Sequence, residues 1–578
     1  MKRKVATVVL LAFPVLIASA QQVCENGSAG DYPCSGINLQ SFMPRAEIGG
    51  GNMNDIWGWT DPQTGVEYAL VGRTSGTSFI DMSQPLNPRF VGNLGTQSVS
   101  STWRDIKVYK NHAFIVADGA SSHGMQIFDL TRLRDPGQTP VQFSADFVYR
   151  RVQSAHNIAI NEKSGYAYIV GSGECAGGLH MVDISQPLDP QFAGCYSEDG
   201  YTHDAQCVAY SGPDADYLGQ ELCFASNTDT ITIVDVTDKT DPVTVFRAGY
   251  PGSGYVHQGW LTGDQRYFIQ NDELDELNNG SNTTTYFWDL TDLDSPEIIT
   301  ILTGPNRSID HNLYVRGNFV FQSNYTSGLR ILDIRDITNP EEIAYFDTYP
   351  SSDGPSFAGS WSNYPYFTSG NIPVTSMGEG LYIVRPTVPL LPAALTVFEA
   401  SLDDDEQITI SWTTLREVDI ASYDVQQQIP GGTFRTLATV AGSGTTIDET
   451  AYEAEIGRTE PGPQVFRLLI RTESGDEYFS DTISVFVPVS GSHELFAAFP
   501  NPTSTVSRIA LVIRNEQRVI VVVYDATGRE RARLSDTILE PDTRHTFQID
   551  ATDLAAGTYF VRVVGNDFDS TTAVAVVK

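Results

Sequence analysis

The sequence predicts an all-β protein: a seven-bladed β-propeller followed by a fibronectin type III or immunoglobulin-like β-sandwich and a small all-β C-terminal domain. Three observations carry that prediction. One strand motif recurs seven times at a spacing near 50 residues, apolar residues alternate within each copy, and the repeats end at a Pro-rich stretch, beyond which two further sets of strand patterns follow.

The first segment, MKRKVATVVLLAFPVLIASA (1–20), has a basic start at Lys2, Arg3 and Lys4, a short apolar stretch, and Ala18-Ser19-Ala20 before Gln21. That is the pattern of an export signal, with cleavage expected after Ala20. No later segment offers the roughly 18 apolar residues of a membrane helix, so no transmembrane segment is expected once the signal is removed. An exported chain can form disulfides, and its six cysteines fall into near pairs, Cys24 with Cys34, Cys175 with Cys195 and Cys207 with Cys223. Short loops favour that scheme among the fifteen pairings open to six cysteines. A thiolate metal site would compete for them, but no CxxC occurs. Residues 21–51 thus read as an N-terminal disulfide-containing segment.

The repeat copies are GTSFIDMSQPLNP (76–88), GMQIFDLTRLRDP (124–136), GLHMVDISQPLDP (178–190), TITIVDVTDKTDP (230–242), TTYFWDLTDLDSP (284–296) and GLRILDIRDITNP (328–340). A degenerate seventh, GLYIVRP (380–386), has Arg385 in place of Asp. From Asp81 through Asp129, Asp183, Asp235, Asp289 and Asp333 the steps are 48, 54, 52, 54 and 44 residues. Further apolar alternations lie between copies, giving about four strands per unit, the signature of propeller blades over 52–386. The last copy lacks strands after it, and the ring is expected to close with an early strand, YALVGRT (68–74).

Residues 387–392 read as a linker. Strand patterns ITISWTT (408–414), YDVQQQI (423–429), QVFRLLIRTE (464–473) and FSDTISVFV (479–487), with a Trp early and a Tyr in the next strand, give the sandwich at 393–488. The final domain, 489–578, carries turns at AsnPro, AlaThrGly and AlaGly.

Asp and Glu number 71 against 36 Lys and Arg, a formal charge of −35. Phosphate backbones would be repelled, so nucleic acid is excluded as a partner. The acidity is spread along the chain and reads first as a solvated surface, with divalent cations as a weaker implication.

Four strands open with the same pattern: SAHNIAI, YTHDAQC, YVHQGWL and IDHNLYV. His156, His203, His257 and His311 therefore enter four successive blades at one position, and Asp55 and Asp105 are expected to hold that position in the first two. If these strands line the channel, the four imidazoles converge on its mouth. Two readings stay open. The side chains could lock one blade to the next through backbone hydrogen bonds. Alternatively they could hold a polar ligand or a divalent metal, Zn, Fe, Mn, Cu or Ca, with Asn157, Asp204, Gln258, Asp310 and Asn312 as supporting groups. NDELDE adds Asp272, Glu273, Asp275 and Glu276, which read as a plain acidic loop before a Ca²⁺ site, since EF-hand spacing is absent. Arg330 and Tyr325 could meet an anionic or sugar ligand, with packing and turn roles as the simpler reading. No nucleophile motif names a catalytic residue.

The elements FPNP (499–502), YDATGR (524–529) and LAAGTYFVRV (554–563) together resemble the C-terminal sorting domain of the type IX secretion system. That resemblance implies the type IX machinery as a partner, a Bacteroidetes-type bacterium, and release or outer-membrane attachment after removal of the domain. The repeat strands resemble LVIVD repeats. With CENGSAGDYPC, YTHDAQCVAYSGPD, HQGWLTGDQRYF and DHNLYVRGNFVFQSNYTSGLRILDI they resemble the choice-of-anchor B family over residues 24–386, which implies architecture and location rather than chemistry. The leading expectation is a secreted cell-surface binding module for a small-molecule, glycan or protein ligand. An extracellular metal-dependent hydrolase or oxidoreductase using the same His/Asp cluster is the alternative, and a purely adhesive role the third.

Overall fold

Each repeat ends in Asp because that carboxylate builds the turn that follows. Oδ1 of Asp81, Asp129, Asp183, Asp235, Asp289 and Asp333 accepts the main-chain N–H two residues on, from Ser83, Thr131, Ser185, Thr237, Thr291 and Arg335, at 2.8–3.0 Å. This Asx turn stops the strand and starts the tight connection to the next.

The computed structural model describes residues 21–578 apart from 138, 388–392, 404–406, 430–433, 447, 458, 460, 474–476, 481, 490, 542–543 and 553. The export signal expected at 1–20 and most of the linker expected at 387–392 lie outside the described residues. Among the described residues, no helix is long and apolar enough to cross a membrane.

Between Ile37 and Pro386 the chain forms seven sheets, antiparallel except where Val141–Phe143 adds in parallel to the strand Arg89–Gly95 of the first. Their first strands are Met53–Thr60, Arg104–Tyr109, Asn157–Asn161, Asp204–Ala209, Val256–Leu261, Leu313–Arg316 and Ser360–Asn363, here blades 1 to 7. Each first strand lies against that of the next blade, and the seventh lies against the first, so the ring closes. The repeat strand is third in its blade, sandwiched between neighbouring sheets. Gly76–Asp81 is buried at every position, whereas the outer strand Glu297–Thr303 alternates exposed and half-buried residues. Apolar faces of adjacent blades share cores: Leu222, Phe224 and Ile233 of blade 4 meet Phe268 and Trp288 of blade 5.

The closing strand differs from the expectation. Glu67–Arg73, which contains most of YALVGRT, is the second strand of blade 1, paired on both edges. The seventh blade takes its outer strand from Ile37–Pro44, which runs antiparallel to Gly380–Pro386 from Ile37 opposite Pro386 to Pro44 opposite Gly380. The ring thus uses residues upstream of the expected start at 52. A register shift between Leu39 and Ser41 breaks the alternation in INLQSFMP, which hides the strand in the sequence. Closure by the opposite end of the chain pairs what would otherwise be two open edges.

All three cysteine pairs are bonded as expected. Cys34 sits opposite Phe346, where the hairpin Ser28–Ala29 and Tyr32–Ser35 extends blade 6. Cys207 and Cys223 face each other on the first two strands of blade 4.

After residue 392, the long strand Ile408–Gln428 pairs with Ala393–Leu402 and Thr450–Gly457 through its first half. Its second half pairs with Phe434–Thr446 and Gly462–Thr472. Trp412 and Tyr423, both fully buried, fall one in each half and pack 5.4 Å apart. The C-terminal segment forms a three-stranded and a four-stranded sheet over a core that includes Leu511, Val521, Val561 and Val574.

Candidate functional site at the channel mouth

The strand entrances of blades 3 to 6 put four imidazoles in one arc. Ring centroids of His156 and His203, His203 and His257, and His257 and His311 are each 4.3 Å apart. His203, His257 and His311 are buried and His156 is half-buried. Gly171 makes room for the arc. Its φ is +61°, and a Cβ there would lie 2.4 Å from the Cβ of His156.

Three of the four Nδ1 atoms are engaged. His203 Nδ1–H donates to the His257 carbonyl in the next blade at 2.9 Å, and His311 Nδ1–H donates to the Trp361 carbonyl at 2.6 Å. His156 Nδ1 meets Asp118 Oδ2 at 3.0 Å. A proton held on Nδ1 leaves the Nε2 lone pair free, which is how metal-binding histidines are oriented. His257 differs: both of its ring nitrogens are buried without a hydrogen-bond partner. The Asn271 amide beside it donates to the His311 carbonyl and accepts from the Gln258 N–H. Burial, reinforced by neighbouring imidazoles, holds His203 and His257 well below the usual histidine range, and burial takes His311 down to about 3. Neutral rings with free lone pairs have the protonation state that metal binding needs.

Glu273 completes this set from the segment after the second strand of blade 5. Its Oε1 accepts from the Tyr325 hydroxyl at 3.0 Å and lies 3.7 Å from His311 Nε2. Burial pushes its carboxyl up to about 7. His257, Glu273 and His311 each offer a ligand atom within 4.8 Å of the others; two ligand bonds near 2 Å span about 4 Å, so the three would have to draw in slightly to share one ion. Aromatic rings surround the arc. Trp103 and Tyr201 flank His156, Tyr255 flanks His203, and Trp361 and Tyr325 flank His311, with Phe357 against Tyr325.

Asp55 and Asp105 do not share the histidine position. Asp55 Oδ2 accepts the Ile106 N–H at 3.4 Å, Asp105 Oδ2 accepts the Ile158 N–H at 2.7 Å, and Gln258 Oε1 accepts the Leu313 N–H at 2.8 Å. The same bond recurs from blade to blade, so Asp55 and Asp105 are equivalent to Asn157, Gln258 and Asn312, the residues after each histidine. Strand pleating turns these residues away from the arc, and a register shift between Val256 and Gln258 sets His257 out of the pairing. Asn157 Nδ2 donates to the His203 carbonyl and Asn312 Nδ2 to Asp55 Oδ1. Lys107 Nζ sits 2.6 Å from Asp105 and 4.0 Å from Asp55, and Asp204, pushed up to about 7 by burial, is the third carboxyl acting on it. This polar layer latches the ring. Trp57, Trp260, Tyr314 and Tyr366, with centroids 5.1–6.5 Å apart, fill the interior beside it, and Lys107 lies over Trp57.

NDELDE is not a solvated loop. Asp272, Asp275 and Glu276 are buried, and Asp272 organises the preceding turn by accepting from Gly254 N, Tyr255 N and the Tyr250 hydroxyl. Arg330 is held by Glu342 at 3.1 Å over the Tyr345 ring, a packing role. Tyr325 belongs to the site through Glu273. Asp118, Trp361 and the pairing of Glu273 with His311 were not singled out by the sequence. Only the position of Asp118 at the end of FIVAD, a strand next to the His156 entrance, hints at its role.

A closed ring of β-sheets with a polar channel mouth, joined to two further all-β units, defines a propeller-type protein. Residues 497–578 match the secretion system C-terminal sorting domain, and residues 153–198 and 311–348 match the LVIVD repeat. The chain therefore carries LVIVD repeats and a type IX sorting tail, which makes it a secreted or cell-surface protein of a Bacteroidetes-type bacterium. No curated protein matches it. Among solved structures it is similar to a functionally unknown protein from Desulfotomaculum acetoxidans, at 13% identity and TM-score 0.39 over 53% of this chain and 88% of that one. A protein from Lactobacillus plantarum is similar at 11% identity and TM-score 0.38, over 69% and 99%.

Proposed function

We propose that this is a surface-displayed binding protein of the choice-of-anchor B type, whose channel mouth holds a divalent transition metal on His257, His311 and Glu273. One observation carries the reading: His311 is locked through Nδ1 onto the Trp361 carbonyl, so that its Nε2 faces Glu273, with His257 unpartnered beside them. Two imidazoles and a carboxylate suit Zn²⁺, Fe²⁺ or Mn²⁺. The exposed rings of Trp103, Tyr201 and Phe357 give an extracellular ligand apolar faces to stack on while polar groups meet the ion. The same three-donor set favours a second reading, an extracellular metal-dependent hydrolase or oxidoreductase, because three protein ligands leave positions open for water or substrate. Metal analysis of the purified secreted chain tests both. The proposal expects about one equivalent of transition metal in the wild type and its loss in His257→Ala and His311→Ala. A wild type free of metal, with a melting temperature indifferent to chelator, removes both readings.

A further inference from the structure

One of the three disulfides is placed differently from the other two. Cys207 and Cys223 are both buried and so is Cys34 of the first bridge, whereas Cys195 is exposed and its partner Cys175 half-buried. Cys175 opens the turn Cys175–Gly177 with a φ of +52°, and Ala176 follows at +54°. That left-handed backbone is costly for residues other than glycine and persists where the surrounding structure imposes it. His180, buried at the start of the strand His180–Asp183, stands opposite Cys195 and brings Nδ1 to 3.8 Å from Cys175 Sγ. The Tyr149 hydroxyl donates to Nε2 at 3.0 Å, which places the ring proton on Nδ1, facing the sulfur. Burial, with the Arg151 guanidinium adding to it, takes His180 down to about 4, so the ring stays neutral and holds that one proton. Arg151 lies over Phe192, whose ring packs 5.0 Å from His180. The turn also supports the histidine arc. Its Gly177 carbonyl accepts from Gly171 N and Thr202 N at 2.9 and 3.1 Å, and a Cβ on Gly177 would lie 3.0–3.3 Å from Tyr201. Gly171 and Tyr201 both stand against His156.

Disulfide exchange needs a sulfur that an incoming thiolate can reach and a second sulfur that leaves as a stabilised thiolate. Exposure meets the first condition at Cys195, and the His180 N–H meets the second at Cys175. We propose that the Cys175–Cys195 bridge is an exchange site that takes up a low-molecular-weight extracellular thiol as a mixed disulfide on Cys195. The incoming thiol gives its proton to water and its sulfur attacks Cys195 Sγ. The bond between the two cysteines breaks, and its electron pair leaves on Cys175 Sγ, which accepts a hydrogen bond from His180 Nδ1–H. One disulfide replaces another, so no oxidant or reductant is consumed. Release of Cys175 lets the turn leave its left-handed backbone and slackens the bonds from Gly171 and Thr202 to Gly177, so the state of this bridge reaches the His156 end of the arc. The site stands apart from the His257–Glu273–His311 set and does not depend on a metal there.

The test incubates the full secreted chain, folded and at neutral pH, with reduced glutathione, traps free thiols with N-ethylmaleimide and locates both groups by peptide mass spectrometry. The site predicts glutathione on Cys195 and maleimide on Cys175, while Cys24–Cys34 and Cys207–Cys223 stay bonded. His180→Phe keeps a ring but has no N–H, and it slows uptake about tenfold and spreads glutathione over both cysteines. Tyr149→Phe, which removes only the hydroxyl that fixes the imidazole proton, moves both readouts the same way. Amide hydrogen exchange at Gly171 and Thr202 speeds up in the mixed disulfide. A bridge that resists glutathione until the other two open, uptake on Cys175 in the wild type, or a rate and position of uptake that neither substitution moves would overturn the proposal. Uptake with unchanged hydrogen exchange at Gly171 and Thr202 would overturn its link to the arc.

Discussion

The Nδ1 of His203 donates to the carbonyl oxygen of His257 at 2.9 Å, so one imidazole joins blade 4 to blade 5. His311 repeats the arrangement on Trp361.

That latch separates two substitutions. His203→Ala removes a buried donor and strands the His257 carbonyl, which should cost about 1–3 kcal/mol and lower the melting temperature of the propeller. His203→Asn keeps a donor near the Nδ1 position and should recover much of that loss. Equal destabilisation by both would mean that packing, not the latch, sets the effect.

Ring closure rests on the strand Ile37–Pro44, whose Ile37 and Leu39 are buried against the last blade. Leu39→Ala should destabilise the propeller by about 2–5 kcal/mol, measured by denaturant unfolding. Deletion of residues 21–44 should leave an open ring that unfolds without a single cooperative transition. A truncated chain with an unchanged transition would refute this closure.

Arg134 grips Asp61 through three contacts of 2.7–3.1 Å, tying the end of the first strand of blade 1 to the turn after the third strand of blade 2. The guanidinium bonds, with the Gln63 N–H and Thr64 hydroxyl, take Asp61 down to about 2 against an opposing desolvation effect. A carboxyl depressed in the folded state adds stability that is complete above its unfolded value, about 3.9, and fades as pH falls toward 2. The melting temperatures of wild type and Asp61→Asn should differ at pH 7 and converge between about pH 4 and 2. A gap independent of pH across that window would contradict the assignment.

Much of this was legible because it is local. The six Asp residues that end the repeats each bond two residues ahead, so their turns can be read from spacing alone. Cys207 and Cys223 lie on adjoining strands and pair through a short loop. The closing strand was hidden because its partner lies at the far end of the propeller, Ile37 standing opposite Pro386, and its register shift spoils the alternation. Asp55 was misplaced by one residue because bulged entrances such as Val256/Gln258 uncouple the motif from the pairing. Glu273 looked like part of a solvated acidic run. Only the fold reveals that this segment turns inward beneath His311 and Tyr325.

The most direct measurement of the central claim is an anomalous-difference map from crystals of the secreted chain grown with Zn²⁺. The account predicts one peak about 2.0–2.2 Å from a ring nitrogen of His257, Nε2 of His311 and a carboxylate oxygen of Glu273, with His311 Nδ1 still on the Trp361 carbonyl. Zinc elsewhere on the chain with this position clear, or a peak that requires His311 to abandon Trp361, would contradict it.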